Sequence, residues 1–375
     1  MANKLEIIAF YLPQFHPFPE NDEWWGKGYT EWTTVGKAKP LFKGHNQPRI
    51  PSELGYYDLR LPIIREQQAQ MARDAGVTAF CYWHYWFGNG KRLMADVFDE
   101  VLDSGKPDFP FCLGWANHSW YAKNWNADGT TDNRLLIEQT YPGIEDEKMH
   151  FKFLLRAFKD KRYLKVDGAP LLSIYDSKKL PVEYVDNLRK WTIEAGFPDL
   201  FLITQENMYW SKYEALNKGY NAVYSTMNLA MTQHQGAKMR DKIIRVSHIW
   251  QKKFVSLIRH KPPFMSDYGE MRHKLIDKDS YKEELIPVLI PQWDHTPRSG
   301  WNGTLFVNAR PEFFYEHAKE ALALVKGKKH PIVVLKSWNE WGEGNMMEPD
   351  LTFGRGFIEA LRKAVNEYEE TNDTE

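Results

Sequence analysis

Pro331-Ile332-Val333-Val334-Leu335-Lys336-Ser337-Trp338-Asn339-Glu340-Trp341-Gly342-Glu343-Gly344 changes character halfway along. The opening run is apolar, largely β-branched and bounded on both sides, which predicts a short, fully buried strand. Tryptophan, asparagine and two carboxylates follow at once. Residues three apart on an extended strand face opposite sides, so Glu340 and Glu343 converge only if the chain leaves the strand and turns. Gly342 and Gly344 supply the backbone freedom for that turn. Two acids in a loop rimmed by Trp338 and Trp341 suit chemistry in which one carboxyl carries a proton while the other works ionised. A surface turn with two solvated acids is the plainer alternative, and two tryptophans in so short a turn weigh against it.

Outward from this strand, the same short apolar pattern recurs at 5–11, 77–82, 109–113, 170–175, 200–204, 222–225 and 285–290. Helical patterns fall at 61–75, 93–102, 145–161, 182–195, 213–216, around 242–257, and at 311–325 and 354–368. Strands each followed by helical or loop material predict an α/β fold, a single-domain (β/α)8 TIM barrel over 1–375. Polar-aromatic clusters follow strands one, two, three, five, seven and eight, the ends at which barrels build their sites. A doubly wound sheet would want a G-x-G-x-x-G turn after an early strand, and the sequence has none. Segment 12–57 is too long and too broken by proline and glycine for a simple connection. Its aromatics, Phe15, Phe18, Trp24, Trp25, Tyr29 and Trp32, predict an ordered loop over a pocket mouth. The basic stretch 227–282 reads as an insertion after strand six, its charges a solvated face.

A net charge of −1 with interspersed signs gives no sign of a polyanion partner such as nucleic acid. Aromatics make up 15% of the chain, with 15 Trp, which suits stacking on the apolar faces of sugars as well as a well-filled core. Cys81 and Cys112 lie in apolar runs and read as core residues. The start of the chain does not read as a signal peptide and no run is long enough for a membrane helix. A cytoplasmic protein is therefore expected, or a periplasmic or secreted one if a leader was removed.

His84 and His118 lie in different loops without zinc spacing and read as hydrogen-bonding groups, so no metal is expected. Trp32, Trp83, Tyr85, Trp86, Trp115, Trp120, Trp293 and Trp341 are candidates to stack on sugar rings, with wall packing the alternative for about half of them. Tyr11, His84, Asn117, Glu206, Asp294 and Asn339 are candidates to bind hydroxyls, Glu206 standing in the cluster Gln205-Glu206-Asn207. Asp277-Lys278-Asp279 superficially resembles the metal-binding D-x-D of nucleotide-sugar transferases but reads as an exposed turn.

Several blocks together resemble one family. Phe10-Tyr11-Leu12-Pro13-Gln14-Phe15-His16-Pro17, the run Glu20–Trp32, Trp115-Ala116-Asn117, Trp293–Arg298 and Trp338–Gly344, continuing to Glu348-Pro349-Asp350, are similar to the WbsX-type proteins of bacterial polysaccharide gene clusters. Those proteins are often labelled glycosyltransferases, yet are related to the family 99 glycoside hydrolases, endo-acting α-mannosidases and α-mannanases with a carboxylate pair in E-W-x-E-G. The resemblance implies that Glu340 is the base and Glu343 the acid of a retaining cleavage assisted by the substrate's 2-hydroxyl, with no metal or organic cofactor. Gly342 stands where the hydrolases carry His, so a mannose preference does not carry over. The expected partner is an oligosaccharide or polysaccharide. The rival expectations are glycosyl transfer or transglycosylation in O-antigen or capsule assembly and, outside enzymes, carbohydrate binding alone.

Overall fold

In the computed structural model the described residues are 4–125, 131–206, 212–226, 253–254, 262 and 264–373. Parallel strands run β1 (Glu6–Tyr11), β2 (Ala79–Trp86), β3 (Phe111–Trp115), β4 (Ala169–Ile174), β5 (Phe201–Glu206), β6 (Ala222–Ser225), β7 (Leu285–Ile286 and Val288–Leu289) and β8 (Ile332–Leu335). Pro287 has no N–H to give a ladder and splits β7 into two halves. The first half pairs with β6 and the second with β8, while β8 pairs with β1, so the sheet closes on itself. Among the described residues this is a closed barrel of eight parallel strands, as expected from the sequence.

The helices α1 (Pro62–Ala75), α2 (Ala95–Ser104), α3 (Ile144–Phe158), α4 (Val182–Glu194), α5 (Lys212–Asn217), α6 (Pro311–Ala323) and α7 (Gly356–Asp373) surround it. Gly76 ends α1 in the left-handed conformation, as its position predicts. Cys81 and Cys112 are free, buried register partners on β2 and β3. The expected helix around 242–257 and most of the 227–282 insertion lie outside the described residues. Asp277 and Asp279 both hold the Lys212 ammonium, at 2.9 Å each.

Two elements differ from expectation in ways that matter to the site. β2 continues through Trp83-His84-Tyr85-Trp86, which the sequence places in a loop. Aromatic and half-polar residues suit a pleated surface as well as a binding loop, and here the ladder to β3 carries Trp83 and His84 while Tyr85 and Trp86 pair antiparallel with Leu93 and Arg92. Segment 12–57 contains two short helices, Pro19–Trp25 and Glu31–Lys37. Thr30 caps the second, its hydroxyl accepting from the Trp32 amide, in a reciprocal arrangement with Thr33.

Candidate active site

β8 ends at Leu335, and the chain then forms a small hairpin in which Asn339–Glu340 pairs antiparallel with Asn345–Met346. A single 3-10 turn, Trp341–Glu343, joins the two arms. Gly344 closes the turn at φ 55°, a left-handed conformation that glycine adopts without penalty. Gly342 is needed for space instead, since a Cβ there would stand 2.6 Å from Glu31 Oε2 and 2.9 Å from Arg298 Nε. Position 342 is left empty so that those two groups can occupy the volume.

Arg298 is the hub. Its Nη2 donates to Glu340 Oε1 at 2.5 Å and to Glu31 Oε2 at 3.0 Å, and its Nη1 donates to Glu343 Oε1 at 2.8 Å. The turn therefore does bring Glu340 and Glu343 together, within the span of one planar guanidinium fork. Lys336 Nζ and His295 Nε2 each stand 3.7 Å from Glu343. The surroundings drive the two acids apart. Burial raises Glu340, Glu343 and Glu31 add to the effect against Arg298 and Lys336, and the carboxyl is held up to about 7. Burial also opposes ionisation of Glu343, but Lys336, Arg298 and His295 outweigh it and bring that group down to about 2. The side chains of Glu340 and Glu343 remain 11% and 19% exposed, so both keep an edge toward solvent.

The segment bearing Arg298 is held from below. Asp294 accepts from His45 and Gln47 of the first long loop, at 2.9 and 2.7 Å, and from the amide and hydroxyl of Thr296, which starts the short helix Thr296–Ser299. Burial works against the charge of Asp294, yet these donors keep its carboxyl below the ordinary value. Its own amide donates to the Glu343 carbonyl at 2.7 Å.

Strand parity decides the fate of the other expected residues. Tyr11, His84, Trp86 and Trp115 point outward from the barrel, into the helix layer. The Tyr11 hydroxyl donates to Gln68 of α1, His84 meets His150 of α3 at 2.9 Å, the Trp86 indole donates to Asp146, and the fully buried Trp115 donates to the Trp86 carbonyl. Asn117 bridges Tyr141 and the backbone at Asp176, and Asn339 stitches the backbone of Leu12 through both ends of its amide. These six side chains have their polar atoms spent inside the protein, contrary to their expected place on a ligand. Trp338 and Trp341 are also buried rather than rimming the opening, and the Trp341 indole donates to Glu348. Asp294 is a buried strut.

Trp83 and Tyr85, on the inward parity of β2, face the barrel axis. Trp83 stacks on Phe10 at 4.5 Å, and Tyr85 lies near enough to Glu340 and Glu31 to feel their charge. Trp120 meets Tyr85 edge-on at 5.1 Å and Trp24 at 6.1 Å. Trp32 packs on Trp341 and gives its N–H to the Tyr57 carbonyl. Trp293 lies under Lys336, whose ammonium is 4.7 Å from the ring centre. Glu206 accepts from Ser225 at 2.6 Å at the top of β5, and Asn207 lies outside the described residues. Trp24, Trp32, Trp83 and Trp120 are half-buried and form the aromatic part of the rim.

A large cavity of about 1390 Å³ lies behind the Asp294 segment, lined by Phe42, His45, Arg49, Phe306, Phe313 and Phe353 among others, and neither Glu340 nor Glu343 borders it. Chemistry, not volume, locates the site. Glu31, Arg298 and Lys336 were not singled out from the sequence as working residues. The available signal was that Glu31 and Arg298 stand inside two of the family-like blocks, each charged beside an aromatic cluster. Among the described residues no three His, Cys, Asp or Glu side chains gather as a metal would need, and no helix is long and apolar enough to cross a membrane.

Fold and site define a (β/α)8-barrel protein with an acid-lined site on the C-terminal face of its strands. More narrowly, the chain belongs to the WbsX family: the family described as "Glycosyltransferase WbsX" matches residues 7–361. A relative from Xanthomonas campestris pv. campestris, described as "Uncharacterized protein WxcX", is 32% identical over 96% of this chain and 49% of its own length. The chain thus spans about half the length of the curated relatives it matches. Among solved structures, the GH99 endo-alpha-mannosidase from Bacteroides thetaiotaomicron superposes over 99% of this chain and 100% of its own, at TM-score 0.58 and 16% identity. A "Glycoside hydrolase-like protein" covers 98% of this chain and 95% of its own at TM-score 0.55 and 15% identity. At such identities the likeness is one of fold.

Proposed function

We propose that the protein cleaves, with retention, a glycosidic bond in a bacterial or host polysaccharide, using Glu340 and Glu343 as a pair that shares one proton. The observation that carries this reading is the divergence of the two carboxyls around one guanidinium, Glu340 held up to about 7 and Glu343 down to about 2. A coupled pair of this kind carries a single proton across the intervening range, which is the state that acid–base cleavage requires. In the first step one carboxylate takes the proton of the sugar's own 2-hydroxyl, O2 attacks C1, and the bond from C1 to the leaving oxygen breaks. The other carboxyl gives that oxygen its proton. Water then opens the 1,2-anhydro sugar at C1, losing a proton to the second carboxylate while the first returns its proton to O2. Two inversions restore the configuration.

With Glu340 as base and Glu343 as acid, the proton that burial keeps on Glu340 in the free protein has to pass to Glu343 before the first step, against the pull of Lys336 on Glu343. Segment 12–57, which contributes Glu31 and Trp32, forms the roof in this scheme, and the half-buried Trp120 and Trp24 offer faces to sugar rings. The family's description favours a second outcome for the same intermediate, in which a glycan hydroxyl replaces water and the product is longer than the substrate.

A panel of polysaccharides, with products identified by mass, tests the reading. Glu340→Gln and Glu343→Gln should each abolish cleavage of whatever the native protein cuts, and kcat/KM should fall as pH rises through about 7. A glycoside whose leaving group needs no proton should restore turnover to Glu343→Gln and not to Glu340→Gln. Tight binding of nucleotide sugars, with no glycan bound or cut, would remove the proposal.

A further inference from the structure

We propose that Glu31 is a positioning residue of the carboxylate site: it holds one arm of Arg298 in the space that a side chain at position 342 would fill, and so sets how much of the guanidinium's charge reaches Glu340 and Glu343. The inference rests on the reading of those two groups as a proton-sharing pair. Glu31 opens the helix Glu31–Lys37, and its side chain is only 10% exposed. Its Oε2 lies 3.0 Å from Nη2, the same nitrogen that donates to Glu340. One nitrogen is thereby divided between two carboxylates, while Nη1 is given to Glu343.

The arrangement depends on Gly342. An added Cβ would fall 2.6 Å from Glu31 Oε2 and 2.9 Å from Arg298 Nε, below any distance real Cβ atoms keep. A side chain at 342 would therefore require the ends of Glu31 and Arg298 to shift from their present contact.

Charge works in the same direction as geometry. The groups bearing on Glu340 come from five elements: Arg298 after β7, Lys336 after β8, Glu343 in the turn, Glu31 in the first loop and Tyr85 on β2. Glu31 is the carboxylate among them that lies outside the pair. It adds negative charge beside Glu340 and withdraws part of the guanidinium from it, and both effects favour the protonated form. Removing its charge therefore leaves more of the guanidinium's charge to Glu340.

The test reads Glu340 directly rather than through turnover. In protein carrying carbon-13 at the glutamate carboxyl, the Glu340 resonance is identified by its loss in Glu340→Gln, and its midpoint is followed against pH. Glu31→Gln should lower that midpoint by about one pH unit, a tenfold change in proton affinity, and Glu31→Asp should recover most of it. Arg298→Lys keeps the charge but lacks the fork, and it must also move the midpoint. A midpoint unchanged in Glu31→Gln overturns the positioning role, whatever Arg298→Lys does and whether or not the protein cuts any glycan. A midpoint that moves in a protein that cleaves nothing supports the clamp and removes the hydrolase reading alone.

Discussion

Glu348 lies a few residues beyond the carboxylate pair and shows how a buried acid can serve the frame of a site. Its oxygens accept from the Trp341 indole and the Tyr57 hydroxyl, at 2.7 and 2.8 Å, and from the Gln68 amide at 2.6 Å. Burial still wins over these donors, and the carboxyl is pushed up to about 7 from an ordinary 4.5. The sign of the linkage follows. Below 4.5 the folded and unfolded chains both hold this proton. Between 4.5 and about 7 the unfolded chain has released it and the folded chain has not, so stability falls as pH rises, by about 3 kcal/mol for this group taken alone. Glu348→Gln should flatten that part of the curve of Tm against pH. Glu348→Ala should instead lower stability at every pH, by about 1–3 kcal/mol for each donor left without an acceptor. A Tm slope unchanged in Glu348→Gln would mean that the carboxyl titrates in its ordinary range.

At the scale of elements, the turn Trp341–Gly344 was legible in the sequence because polarity changes abruptly at the end of an apolar run and two acids flank a glycine. The eight strand runs were legible for the same reason, since burial on both faces leaves little but apolar residues. The length of β2 was not. Trp83-His84-Tyr85-Trp86 has the composition of a binding loop and the parity of a strand, and only the pairing of its first half with β3 and of its second half with Arg92–Leu93 decides between them. That parity sends His84 and Trp86 outward, with Tyr11 and Trp115 following the same rule on β1 and β3. Glu31 was illegible for another reason: nothing local to a proline- and glycine-rich loop says that its acid meets an arginine 267 positions away. Within the turn, Gly344 makes the sharpest prediction. Alanine there would have to hold φ 55°, and its Cβ would stand 2.8 Å from Asp294 Cβ and 3.0 Å from Asp294 N. The backbone conformation alone costs about 1 kcal/mol, and the collision pushes the turn off the segment that carries Arg298. Gly344→Ala should therefore unfold at lower urea and lose activity more than stability, which equilibrium unfolding and turnover measured on the same protein will separate.

At the scale of the molecule, the first loop and the last two strands are fastened into one rim by buried pairs remote in sequence. His45 and Gln47 reach Asp294, Arg49 reaches Asp350 at 2.9 Å, and Tyr57 reaches Glu348. The barrel makes this possible, because closure sets β1 beside β8 and β8 beside β7. Asp294 joins the most parts: two loop residues below it, Thr296 at the start of the Arg298 helix, and the Glu343 carbonyl through its amide. Its carboxyl is held below the ordinary 3.8, so its stabilising contribution is present above that value and drains away as pH falls beneath it. Asp294→Ala would leave a buried histidine, a buried amide and the Thr296 hydroxyl without their acceptor. Each buried donor left without an acceptor costs about 1–3 kcal/mol. The loss should be nearly independent of salt, because these contacts are buried away from screening ions. Asp294→Asn keeps the shape and one acceptor oxygen, and should lose less stability while still loosening the Arg298 helix. Urea unfolding at low and high salt, paired with the Glu340 midpoint in each variant, checks both halves. If Asp294→Asn leaves that midpoint where it was, the rim holds the fold without governing the carboxylates.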